Sequence, residues 1–173
     1  MAMDTFTLIA SQYALEEDAL ADYEAVRDVY MDLDIIDTYD AAVITRGADG
    51  KVRIVERVEE PTRQAAAAGL AMGLAVGALV ALFPAVAIGA GLAIGGASGA
   101  VLGATAGHVA AGMSRSDLKD IGELLDTGTS GLVVVAAADV QDRVEAAIQR
   151  GKDIAKKQVQ VDANGLKADI DSL

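Results

Sequence analysis

One histidine, His108, and no cysteine set narrow limits on the chemistry this chain can carry. A single histidine rules out a multi-histidine metal site within one chain. Without cysteine there is no thiolate ligand, disulfide or thiol nucleophile. His108 follows Gly107 inside a segment free of charged residues. It reads there as a helix-packing or interfacial residue, with a proton relay as the functional alternative. Serine and threonine hydroxyls have no other histidine to activate them. Asp32, Asp34, Asp37 and Asp40 form an acidic cluster, but they lack the ligand spacing, turn glycine and closing glutamate of a calcium loop. A solvated acidic loop is the reading. Gly89-Ala90-Gly91 has no third glycine for a dinucleotide fingerprint, and GxxxxGK(S/T) does not occur. Gly128-Thr129-Ser130-Gly131 reads as a helix-to-strand turn in preference to an anion nest. The residue types therefore predict a chain that is not an enzyme, with no catalytic residue, no metal and no cofactor.

Packing is far better specified than chemistry. Ala65–Ser114 is fifty residues without Asp, Glu, Lys or Arg. Two glycine series run through it at intervals of four: Gly69, Gly73 and Gly77, then Gly91, Gly95, Gly99, Gly103 and Gly107. Small residues at i and i+4 line one inclined row of a helix and allow a second helix to approach closely. Pro84 lies between the series and marks a hairpin turn. The expectation is a glycine-zipper helical hairpin over 64–114, with those eight glycines as the helix-packing and oligomerisation surface. Each glycine costs about 1 kcal/mol relative to alanine in a helix interior, so eleven of them require close packing in compensation.

The flanking regions are charged and differently patterned. Residues 1–63 carry six basic and fifteen acidic side chains, and residues 115–173 carry eight and eleven, which together give the net charge of −12. An acidic chain without a basic cluster argues against nucleic acid as a partner class, and against adhesion to anionic headgroups by charge alone. Thr5–Ser11 predicts a strand, and Ala14–Leu33 a helix with Leu15, Ala19, Val26, Tyr30 and Leu33 on one face. Glu16, Glu17, Asp18, Glu24 and Asp28 occupy the other face. Tyr39–Thr45 and Lys51–Val58 predict two strands about an Asp49-Gly50 hairpin turn. Ser116–Asp126 reads as a helix, Leu132–Ala138 as a doubly covered strand, Val140–Arg150 as a helix capped by Asp139, and Lys156–Val161 as an edge strand. This order predicts an α+β fold: a ferredoxin-like βαββαβ domain made of residues 1–63 and 115–173, interrupted by the hairpin.

The chain resembles a bacterial family of predicted membrane proteins of unknown function that pairs a ferredoxin-like domain with a glycine-rich hydrophobic hairpin. The residues that carry the resemblance are Tyr39–Arg46 with Asp49–Val52, the glycine block, Ser116–Leu125, and Gly128–Val135. It departs after Gly151, where the chain becomes lysine-rich and polar. The resemblance implies fold and membrane association, and it implies no active-site residue.

Length favours the bilayer. Ala65–Phe83 is nineteen residues, about 28 Å as a helix and close to one hydrocarbon core. Ala85–Met113 is twenty-nine residues, roughly 43 Å. Arg63 and Arg115 bracket the hairpin, consistent with both ends in the cytoplasm. Met1–Gln12 has no basic n-region and does not read as a secretory signal. The first expectation is thus a bacterial inner-membrane protein that self-assembles through its zipper helices, with lipid and itself as partners and the α+β domain in the cytoplasm. The alternatives are a cytoplasmic soluble homo-oligomer (a scaffold, shell or filament that buries the hairpins) and a small-ligand sensor.

Overall fold

In a computed structural model of the chain, the structure describes residues 4–33, 39–57, 112–137 and 139–161, together with Ala78, Leu82, Ala87 and Ile88. The elements are β1 (Asp4–Tyr13), α1 (Glu16–Asp32), β2 (Tyr39–Arg46), β3 (Val52–Arg57), β4 (Ala87–Ile88), α2 (Arg115–Thr127), β5 (Ser130–Ala137), α3 (Gln141–Ala147) and β6 (Ile154–Val161). One sheet orders them β4-β3-β2-β5-β1-β6. Five of these strands are antiparallel to their neighbours, and β4 adds two residues parallel to β3. The fold is α+β.

Alternating side chains divide the core between the two faces of the sheet, as the period of two requires. Ile9 and Tyr13 of β1, Ala41 and Val43 of β2, and Leu132, Val134 and Ala136 of β5 pack under α1 and α3. Leu8, Ala10, Ala42, Ile44, Val133 and Val135 point the other way, with Ile121 and Leu125 of α2 over them. Leu132 to Ala136 are all buried, so β5 is a doubly covered central strand. Each fully buried aliphatic side chain of this kind stabilises the fold by about 1.5–3 kcal/mol.

The β2–β3 hairpin closes where Asp49-Gly50 predicts it. Gly50 adopts φ 76°, the left-handed region that glycine enters without a Cβ penalty. Gly47 N–H donates to Lys51 O at 2.9 Å, and the Asp49 carboxylate accepts from Lys51 N–H at 3.1 Å and from Arg53 Nη2 at 2.9 Å. These bonds hold the Asp49 carboxyl below its ordinary pKa, the Lys51 amide contributing most.

Strand order departs from the simple reading of the sequence. β3 lies outside β2, and the strand between β1 and β2 is β5, supplied from beyond the apolar segment. The crossover β1-α1-β2 thus steps over β5, and β5-α3-β6 steps over β1. A hairpin strand must pair with its partner, but either side of β2 satisfies that pairing. β5, apolar on both faces from Leu132 to Ala136, takes the interior place, where it is covered on both sides. α3 is also shorter than expected, because Ile148 has extended backbone that ends the helix and leads into β6. Asp139 does not cap it; Val140 occupies that position without a side-chain cap bond.

Ala87 and Ile88, expected inside the second zipper helix over Ala85–Met113, instead form β4 and pair with Arg53 and Ile54. The outer edge of β3 offers unpaired backbone groups there, and this pairing satisfies them. Gly69, Gly73, Gly77, Gly91, Gly95, Gly99, Gly103, Gly107, Pro84 and His108 lie outside the described residues. Among the described residues, no helix is long and apolar enough to cross a membrane.

Candidate functional site

Two places in the molecule concentrate unusual residues. The first is a polar corner where the end of β1 meets α1 and the α3–β6 loop. Asp22 is completely buried there. Its Oδ2 accepts from Tyr13 Oη at 3.0 Å, Arg150 N–H at 2.8 Å and Gly151 N–H at 3.3 Å, and its Oδ1 accepts from Arg150 Nη1 at 3.1 Å. Nearby, Ser11 Oγ donates to Asp153 O at 2.9 Å and Gln12 Nε2 to Asp153 Oδ2 at 3.1 Å. A Cβ on Gly151 would overlap Ser11 Oγ, so the loop can lie this close only with glycine. Burial, and then the adjacent Asp22 charge, push the Tyr13 phenol far above its ordinary range.

This corner looks like an acid site but behaves as a clasp. The Asp22 oxygens already accept from four donors, which leaves the carboxylate little free acceptor capacity for a substrate. Nothing singled Asp22 out among the acids of α1, though its position does. It follows Ala19 by three and precedes Val26 by four, placing it on the buried stripe of Ala19, Tyr23, Val26 and Tyr30. An acid on the apolar face of a helix needs partners, and that was the available signal.

Hydroxyl and charged groups elsewhere are likewise engaged in holding elements together. Thr129 N–H donates to Tyr13 O at 3.1 Å, and Thr129 Oγ1 donates to Ala14 O. Thr129 therefore ties the Gly128–Gly131 turn to the end of β1, and its carbonyl accepts from Arg46 N–H of β2 at 2.7 Å. Lys157 on β6 reaches Asp117 and Asp120 of α2, each at 3.1 Å, while Lys156 points to the opposite face and meets Glu145 of α3 at 2.7 Å. Asp117 is held below the usual carboxylate range by the Ser114 hydroxyl and then by Lys157, and the two carboxylates raise Lys157 in turn. Arg46 pairs with Asp126. Among the described residues, no group of three or more His, Asp or Glu could hold a metal ion. Asp32 is exposed at the end of α1, Asp34 and Asp37 lie outside the described residues, and only the backbone of Asp40 is described.

The second place is the sheet face opposite α1 and α3. From β3 to β6 it is five strands wide, about 19 Å at the usual strand spacing. One helix with its side chains covers only about 10 Å. α1 and α3 together cover one face, and among the described elements α2 is the helix on the other. Ala78 and Leu82, both helical, pack on that same face. Ala78 is fully buried in the cluster with Leu8, Ala42, Ile44 and Ile54, and Leu82 packs against that cluster. A Cβ on Gly122 of α2 would sit 3.9 Å from Leu82 Cδ2, ordinary contact distance. At the other end of the apolar segment Met113 joins the same cluster. Gly112 approaches the backbone of Gln160 on β6 so closely that a Cβ would collide with the carbonyl oxygen.

These features define a small acidic α+β domain whose buried polar groups serve structure and whose second sheet face is completed by part of an uncharged, glycine-rich segment. A family described as protein of unknown function (DUF1269) matches residues 66–169, and the chain belongs to that family. The matched region takes in the apolar segment from its second residue, with β4, and then α2, β5, α3 and all of β6, while β1, α1, β2 and β3 precede it. No curated protein and no solved structure matches the chain.

Proposed function

We propose that this chain is a non-enzymatic, membrane-associated protein of the bacterial inner membrane that self-assembles through glycine-zipper helices in residues 64–114. β1-α1-β2-β5-α3-β6 is a ferredoxin-like unit that stays in the cytoplasm, with β3, the hairpin and α2 inserted between β2 and β5. The observation that carries the reading is the fifty-residue uncharged run with glycines at i, i+4. Lipid makes helix the only satisfactory state for so glycine-rich a backbone, and small residues are what helices in lipid pack through. The bonding of Asp22, Thr129 and Lys157 to neighbouring elements supports a structural role for the domain.

The burial of Ala78 and contact of Leu82 favour a second reading, a soluble homo-oligomer whose hairpins are folded onto and between its domains. One experiment separates the two. Cells are lysed without detergent, membranes are sedimented, and the mass of the purified protein is measured with and without detergent. The membrane reading expects sedimentation with membranes and a defined oligomer only in detergent. A defined oligomer in the detergent-free supernatant would refute it and leave the second.

A further inference from the structure

We infer that docking of Ala78 and Leu82 on the sheet and bilayer spanning by the apolar segment are mutually exclusive, so the α+β domain acts as a holder that must release its own segment before that segment can cross lipid. The inference rests on the membrane reading above. Its basis is chain length between fixed points. Arg57 ends β3, Ala78 and Leu82 lie on the sheet, Ala87 and Ile88 pair with β3, and Gly112 abuts β6. Twenty residues separate Arg57 from Ala78, and twenty-three separate Ile88 from Gly112. Each run begins and ends on the same domain, so a crossing of the bilayer in either must be matched by a return crossing.

Two crossings need about 40 residues, at about 20 for each. Neither run is long enough. The expected crossing over Ala65–Phe83 would also require Ala78 and Leu82 themselves to enter lipid. Pro84, the expected far tip of the hairpin, lies between Leu82 and Ala87, which both touch the domain. With these residues docked, the tip cannot stand a bilayer's thickness away. Sheet and lipid thus compete for the same side chains, and spanning takes Ala78 and Leu82 away from the cluster that holds Ile44 and Ile54.

The absence of cysteine makes the test clean. In the full-length double variant Leu82→Cys/Gly122→Cys, the two thiols face each other across the docking contact. A short bifunctional methanethiosulfonate bridges them, and dithiothreitol removes the bridge. Phosphatidylcholine vesicles serve as the probe, because an anionic surface would repel a chain of this charge. The readout is the fraction that floats with vesicles and resists a urea wash. Bridged protein should show at least a tenfold smaller resistant fraction than the same protein after reduction, while a monofunctional thiosulfonate should have no such effect. Equal insertion by bridged and reduced protein overturns the inference and leaves the membrane reading intact. Failure of the thiols to bridge overturns it by removing the docking contact. Insertion by neither form, nor by the parent chain, refutes the membrane reading and the inference with it.

Discussion

Replacing Asp22 tests whether the polar corner is a structural clasp, and its two substitutions should differ in a way the geometry fixes. Three of the four donors converge on one oxygen, Oδ2: Tyr13 Oη, Arg150 N–H and Gly151 N–H. Only the Arg150 guanidinium uses Oδ1. Asp22→Asn can therefore turn its carbonyl toward the three converging donors and keep them satisfied. Its amide then faces Arg150 Nη1, and one charge-assisted bond is lost. The Arg150 side chain is 51% exposed, so water resolvates the guanidinium and the Coulombic part is discounted. About 1–2 kcal/mol is expected for this change.

Asp22→Ala removes the acceptor altogether. Tyr13 is fully buried, so its hydroxyl loses its acceptor away from water, and two backbone N–H groups lose theirs beside it. Each unsatisfied donor costs about 1–3 kcal/mol. The two amides gain partial access to water once the side chain is gone. The expected total is about 3–5 kcal/mol, a large fraction of a typical domain's stability. Urea denaturation followed by far-UV circular dichroism measures both variants, with Arg150→Ala as a third that should cost about 1 kcal/mol or less. An Asp22→Ala variant within 1 kcal/mol of the parent would refute the clasp. Equal losses for Asn and Ala would show that charge, and not the convergence of donors on one oxygen, carries the stability.

Other substitutions probe separate links. Gly50→Ala has open space around its new methyl but a left-handed φ, so it should cost about 1 kcal/mol through backbone strain alone, read as a lower urea midpoint. Gly112→Ala has ordinary space nowhere near Gln160, since the obstacle is backbone. It should cost about 1–3 kcal/mol, and a neutral result would show that the segment does not approach β6. The raised Tyr13 pKa makes the folded state keep a proton that the unfolded state releases above about pH 10. The stabilisation is complete below that pH and declines as pH rises further, by about 1.4 kcal/mol per unit for this group. Tyr13→Phe should remove this component of the alkaline loss, which a urea series between neutral and strongly alkaline pH would detect.

Some of this architecture could be read from the residues. Asp49-Gly50 announces the hairpin because few other pairs enter the left-handed region so readily, and Leu132–Ala138 announces a central strand because no polar face interrupts it. Ala19, Val26 and Tyr30 mark the buried stripe of α1. Asp22 was legible only by asking what an acid does on that stripe, since its composition matches the solvated acids around it. Strand order was not legible from pattern: β3 satisfies its hairpin on either side of β2, and the choice is made by β5, more than seventy residues further along. The return of Ala78 and Leu82 to the sheet was hidden for a different reason. In an alanine- and glycine-rich run every helical face is small and apolar, so hydrophobic periodicity does not distinguish a face that meets the sheet from one that meets lipid or another helix.

Position around the helix does distinguish them. Ala78 and Leu82 are themselves four apart, and each follows a member of the small-residue row Gly69, Gly73, Gly77 and Ala81 by one position. One residue is about 100° around an α-helix. If the proposed zipper helix docks through Ala78 and Leu82, this offset puts its glycine row about a quarter-turn away from the sheet. On that reading docking and zipper pairing use different faces, whereas docking and spanning compete for the same residues. Gly112 shows the same separation at the far end: it meets the β6 backbone, yet it falls one residue beyond the series that ends Gly103, Gly107 and Ala111. Both contacts with the domain are thus offset by one from the glycine rows. On the proposed zipper reading docked chains can pair without releasing the segment, so a Leu82→Cys/Gly122→Cys chain should still bridge within an oligomer isolated without detergent, and loss of bridging in that oligomer would refute this.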